Sequence, residues 1–178
     1  MSYPDLEEIF KQHGFEDFKW IKASDIVVEQ WVRMKCMYGC SSYGQKGSCP
    51  PNTPSIDECR EFFGEYGDVV VFHIRARLED PTTRDRFSRE VNTRLLEVER
   101  EVFLKDFRKA FLLFMDECQL CTQCPGTIDD CVHPDMMRPC PESMGVDVFA
   151  TVRKYDLPIQ VLKDYDEEMN RYAFLMID

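Results

Sequence analysis

Four cysteines fall within the stretch "CQLCTQCPGTIDDC", residues 118–131. Cys118, Cys121 and Cys124 are each two residues apart, and Cys131 follows after six more. Two-residue spacers let successive thiolates turn onto one small inorganic body, and three in a row open the run used to hold iron–sulfur clusters. The stretch departs from that run in the longer gap before Cys131 and in Pro125, which follows the third cysteine instead of the fourth. A second loop, "CMYGCSSYGQKGSCPP", carries Cys36, Cys40 and Cys49 with Gly39, Gly44 and Gly47 between them. Glycines let the backbone approach closely and present amide hydrogens to sulfur.

The chain has nine cysteines. A [4Fe-4S] cluster takes four thiolates, so two sets leave one cysteine over. Cys118, Cys121, Cys124 and Cys131 form one set; Cys36, Cys40 and Cys49 need a fourth member, and Cys59 and Cys140 have equal claims. Cys59 shares an apolar stripe with Ile56 and Phe63, as a core thiol does. Cys140, in "RPCPES", precedes a proline as Cys49 and Cys124 do, and can cross over as ferredoxin ligands do. Zinc is the rival metal, because four-cysteine zinc sites staple small loops. Zinc ribbons present two separated C-x2-C halves, however, which neither loop reproduces. A nucleophilic cysteine is the weaker reading: His133 lies two residues after Cys131, and a nucleophile needs its base across a site in the fold. "GCSSYGQK", Gly39 to Lys46, misses a phosphate loop because Gln45 takes the lysine position. His73, inside "VVVFHIRA", reads as a core histidine. Lys35, Lys46 and Arg138 flank the loops, where they can tune a potential, contact a partner or simply be solvated.

Composition narrows the classes. Against 22 Lys and Arg stand 33 Asp and Glu, a net charge of -11, which repels nucleic acid and anionic membranes. "MSYPDLEEIF" lacks the basic and long apolar regions of a secretory signal, and the apolar runs are too short to span a bilayer. The expectation is a cytoplasmic protein without membrane insertion, where thiols stay reduced and dense cysteines point to metal instead of disulfides.

The elements that must position these cysteines follow from periodicity. "SYPDLEEIFKQHG" predicts a helix capped by Ser2, with Leu6, Ile9, Phe10 and His13 on one face. "DIVVEQWVRMK", residues 25–35, alternates as a strand leading into Cys36. "SIDECREFFGEYG" has capping-box spacing at Ser55 and Glu58, and "DVVVFHIRA" reads as a buried strand. Residues 82–109 form a long amphipathic helix, and "AFLLFMDE" a strand ending at Cys118. A helix from Pro141 to about Tyr155 and strands at "LPIQVLKD" and "RYAFLMID" complete the chain. The predicted fold is α/β, with an α+β sandwich as the variant. A single domain, residues 1–178, has a mixed sheet of about five strands and about four helices. Cysteine loops at 36–59 and 118–140 form a metal-cluster lobe.

"CMYGCSSYGQKGSCPPNTP", then "CQLCTQC", "CVHP" and "RPCPESMGVDV", resemble domain-of-unknown-function family 2284, predicted metal-binding proteins of anaerobic archaea and bacteria. The resemblance covers about residues 30 to 150. It implies metal ligands at Cys36, Cys40, Cys49, Cys118, Cys121, Cys124 and Cys131. A serine is expected where Cys140 stands, and Cys59 has no counterpart in the motif. It implies no particular reaction. The expected function is electron transfer through two [4Fe-4S] clusters, as a small subunit or partner of a larger redox complex; the lack of a substrate or nucleotide motif favours a relay over a catalyst and leaves an open iron for substrate as the enzyme alternative. The alternatives are an accessory protein for reductive activation or cluster supply of an oxygen-sensitive methanogenic or corrinoid enzyme, and a zinc-stapled interaction domain.

Overall fold

The computed structural model describes residues 3–78, 80–164 and 166–178, with no side chain described for Pro81. The predicted cap at Ser2 lies outside the described residues. The first helix, α1 (Tyr3–Gln12), buries Leu6, Ile9 and Phe10. His13 sits at its edge, hydrogen-bonded to Glu101 at 2.9 Å.

Two long apolar runs make the centre of the sheet. Strands β2 (Asp68–Ala76) and β4 (Met169–Met176) pair antiparallel from Val69↔Met176 to Ala76↔Met169. Strand β1 (Phe18–Lys22) pairs with β2, and β3 (Phe111–Leu113) with β4, giving the order β1-β2-β4-β3. Every strand pairing among the described residues is antiparallel, which corrects the mixed sheet. Both faces are covered, so β2 and β4 read as continuous apolar runs instead of alternating ones. Val70, Phe72 and Leu175 face α1 and the 21-residue α4 (Arg84–Leu104), which contributes Val91, Leu95, Val98 and Val102. Val69, Val71 and Phe174 face α3 (Ile56–Gly64) and the short α5 (Val148–Arg153). The capping box at Ser55 and Glu58 is present. With α2 (Gln30–Gly39), the described residues hold five α-helices and four strands.

The differences from expectation have local causes. Residues 25–35 are not a strand: α2 begins at Gln30, with Glu29 as its N-cap. Gln, Met, Arg and Lys are good helix formers, and only Val32 needs to bury. Val28 stays extended in an isolated bridge to Val146. The strand expected to reach Cys118 stops at Leu113, because Phe114 N–H turns to Pro139 O (2.8 Å) and Met115 N–H to Asn92 Oδ1 (3.2 Å). The stretch 157–164 joins no ladder. Val161 is 76% exposed, and the Pro158 carbonyl accepts from the Tyr172 hydroxyl instead of a neighbouring strand. The helix expected from Pro141 is split into a turn at Glu142–Met144 and α5 by Gly145, at φ +79°. A Cβ there would run into Ile56 Cδ1, and the Gly145 carbonyl accepts from Glu29 N–H at 2.8 Å. The edge strand β1 carries Lys19 and Lys22, charges that blunt a sheet edge and weaken an alternation signal.

Candidate metal centre

A spacing of four residues on a helix places two side chains on one face, one turn apart. Cys36 lies in the last turn of α2 and Cys40 is its C-cap, whose N–H donates to Cys36 O at 3.3 Å. The chain then makes a run of turns. Gly44 N–H donates to Pro50 O (2.8 Å) and Cys49 N–H to Lys46 O (3.1 Å), which carries Cys49 inward until it is 5% exposed. Cys36 is half-buried and Cys40 exposed. Burial pushes the Cys49 thiol up to about 12, and the fields of Glu117, Cys40 and Cys36 push the same way against Lys46. Cys36 is raised by burial first, then by Cys40 and Glu142. Cys140 is buried, with its thiol well above the usual range through desolvation and the fields of Glu142 and Cys49. Its backbone is clamped by Ser143: Cys140 N–H donates to Ser143 Oγ (3.0 Å), which donates to Cys140 O (2.8 Å).

Cys59 has other company. It is fully buried on the inner face of α3, with Pro54 O at 3.6 Å and Met144 Sδ at 4.0 Å from its sulfur. Burial raises its thiol too, with Arg33 pulling it down and Glu58 pushing it up.

The second set is gathered by the loop after β3. Cys118, Cys121, Cys124 and Cys131 line one small cavity with Leu120, Pro125, His133, Met137, Gly47 and Ser48. The Cys118 thiol is raised by burial, then by the other three cysteines, against a backbone hydrogen bond at Leu120. All nine cysteines are free of disulfides.

The two loops touch. Asn52 Nδ2 donates to both Lys46 O (3.1 Å) and Gly126 O (2.9 Å). A Cβ on Gly47 would stand 2.8 Å from Thr127 O, so only glycine permits this approach. Lys46 Nζ donates to Gln119 Oε1 (3.3 Å), and Ser42 Oγ to Glu117 Oε1 (3.2 Å). Gln119 is itself 6% exposed and donates to Glu117 at 2.9 Å. This polar bridge escaped sequence reasoning, because single Gln, Ser and Glu residues carry no spacing signal. Glu142 escaped it too. Its exposed side chain lines both the cavity beside Cys36 and Cys40 and the one beside Met169 and Arg171.

The flanking cations are engaged. Lys35 Nζ lies 5.0 Å from the centre of the Trp31 ring. Arg138 grips Glu99 through Nε–Oε1 and Nη2–Oε2, both 2.9 Å. His73 is a core histidine, held by Asp17 (2.9 Å) and Asn170 (2.8 Å) and stacked on Tyr172. Residues 39–46 follow a helix instead of a strand, which removes the context of a phosphate loop. Beside Cys36 and Cys40, an open apolar cavity of about 710 Å³ is walled by Trp31, Met34, Tyr38, Val148 and Phe149.

Among the described residues, no three or more His, Cys, Asp or Glu side chains converge as tightly as one metal ion requires. The second four cysteines ring a cavity instead of meeting at a point. The donor set there suits a thiolate-bound group: four sulfurs, apolar flanks, and a buried Ser48 hydroxyl with no partner among the described residues. No helix among those residues is long and apolar enough to cross a membrane. No curated protein and no solved structure matches the chain. The family model described as "Predicted metal-binding protein (DUF2284)" matches residues 19–177, from β1 through the last residues of the sheet and across both cysteine loops, and the chain belongs to that family.

Proposed function

We propose that the chain is an iron–sulfur protein whose two cysteine loops form a metal lobe holding two [4Fe-4S] clusters, and that it passes single electrons to a larger cytoplasmic redox protein. The observation that carries this reading is how the cysteines sort. Cys118, Cys121, Cys124 and Cys131 share one cavity. Cys36 and Cys40 lie near enough to Cys49, and Cys49 to Cys140, to act on the next thiol in turn. Two sets of four match the ligand demand of two cubanes.

Cys140 completes the first set in this reading. It is the buried cysteine coupled to Cys49, whereas Cys59 packs among Ile56, Phe63 and Met144 as a small apolar side chain. When bound, such clusters supply one-electron chemistry. The protein's part is to hold the thiolates, to surround the second set with Leu120, Pro125 and Met137, and to leave Cys40 at the surface, where electrons can leave or enter. The exposure of Cys40 also favours a second reading, in which the first cluster is delivered to an oxygen-sensitive enzyme instead of cycling electrons.

The test begins with protein purified without oxygen. About eight irons and eight sulfides per chain, with interacting S = 1/2 signals after dithionite reduction, are expected for two cubanes. Near-stoichiometric zinc without sulfide overturns the proposal and leaves a zinc-stapled interaction domain. Loss of iron to an acceptor apoprotein on mixing selects delivery over relay.

A further inference from the structure

Ser48 belongs to the first cysteine loop, between Gly47 and Cys49, yet it lines the cavity of the second four cysteines. It is 5% exposed, and its hydroxyl oxygen is buried without a hydrogen-bond partner among the described residues. A buried hydroxyl left so is costly, and it calls for an acceptor that the described residues do not supply. The position is built, not accidental. Gly47 packs against Thr127 O where a Cβ would not fit, and Asn52 ties the Lys46 and Gly126 carbonyls together. The rest of the cavity wall is Leu120, Pro125, Met137, His133 and the four thiols. Sulfur bound to metal is anionic and accepts hydrogen bonds.

We propose that the Ser48 hydroxyl donates a hydrogen bond to a sulfur of the group held by Cys118, Cys121, Cys124 and Cys131, so that the first loop completes the second site and tunes it. The inference rests on the reading above in taking that group to be an iron–sulfur cluster. A hydrogen bond to cluster sulfur favours the reduced, more negative state and raises the reduction potential. Ser48 is thus a positioning and tuning residue, and Cys118, Cys121, Cys124 and Cys131 remain the ligands.

The experiment compares wild type, Ser48→Ala and Ser48→Thr, each purified without oxygen, assayed for iron, sulfide and zinc, and titrated redox-wise by paramagnetic resonance. Ser48→Ala is expected to keep its metal and to lower the reduced-to-oxidised ratio of one cluster about tenfold at fixed potential, roughly 59 mV for one electron. Ser48→Thr, which keeps the donor, is expected to restore it. An unchanged ratio in Ser48→Ala overturns the inference, as does a shift that Ser48→Thr fails to reverse. If the assay finds zinc and no sulfide, the cluster reading has failed, and the hydrogen bond is read on the cobalt-substituted protein. There, Ser48→Ala must move the thiolate-to-cobalt charge-transfer band to lower energy, and an unmoved band sinks the inference.

Discussion

Nine cysteines look alike in a sequence, and their surroundings separate them. Cys140 is buried beside Cys49, and Cys59 is buried beside Met144 and Pro54. Cys140→Ser is therefore expected to remove about half of the bound iron, as losing one of two four-thiolate sites implies. Cys59→Ala is expected to leave metal content intact and to lower stability by roughly 1 kcal/mol, the cost of a small buried void. Metal analysis with urea unfolding decides the pair, and the reverse pattern would assign Cys59 as the ligand. Spacing alone groups the seven other candidate ligands. It does not separate Cys59 from Cys140, because their surroundings depend on which face of α3 turns inward and on where Pro139–Pro141 returns to the sheet. Ser48 and Gln119 were invisible for the same reason: one polar residue has no period.

At the scale of elements, the Arg138–Glu99 pair fastens the end of the second loop. Glu99 is 8% and Arg138 20% exposed at the side chain, and Glu99 Oε1 also accepts Leu112 N–H at 2.8 Å. The pair thereby ties the end of the loop to α4 and β3. Breaking a buried ion pair strands a charge. Arg138→Met is expected to cost roughly 3 kcal/mol in urea unfolding, and a loss under a few tenths would show that the pair is solvated. Gly145 sets the entry to α5. Gly145→Ala must adopt a left-handed conformation that costs a non-glycine residue roughly 1–3 kcal/mol and displace Ile56, so a variant as stable as wild type would refute the account. Long patterns were legible: α1, α3, α4, β2 and β4 follow from periodicity and capping. The short elements were less so. Strand β1 spans five residues and α2 buries little besides Val32, so neither carries enough periodicity to outweigh alternatives that tertiary contacts decide, and β3 was expected in place but ends at Leu113 where tertiary hydrogen bonds take over.

Across the whole molecule, the order β1-β2-β4-β3 is set by pairings distant in sequence, which no local pattern encodes, while the layering of helices over an apolar sheet is implied by the continuous runs of β2 and β4. One clasp joins α1 to this sheet: the Asp68 carboxylate accepts from Lys22 Nζ at 2.6 Å and from the Tyr3 hydroxyl. These two partners hold the Asp68 carboxyl below its ordinary 3.8, while the hydrogen bond to Asp68 lifts Tyr3 from 10.0 to about 12. A lowered carboxyl stabilises the fold fully above 3.8 and fades as pH falls through its folded value. A raised tyrosine stabilises fully below 10.0 and fades as pH climbs to about 12. Asp68→Asn is therefore expected to flatten the acid limb of the unfolding midpoint against pH, and Tyr3→Phe the alkaline limb, whereas unchanged limbs would mean the clasp does not titrate with folding.

The two cores are built by α1, α3, α4, α5 and the sheet, and the cysteine loops supply turns and a few backbone bonds. Metal and fold should therefore come apart. Thiolate ligation is what orders loops of this kind, so chelation under anaerobic conditions is expected to expose the amides of residues 40–54 and 118–138 to rapid hydrogen exchange. The amides of β2 and β4 should stay protected, because their partners and both covering layers remain. Exchange read by mass spectrometry on peptides from each region separates the outcomes. Protection lost everywhere would make the metal lobe part of the folding core, and protection lost nowhere would mean that the polar bridge of Ser42, Lys46, Glu117 and Gln119 holds the loops without metal.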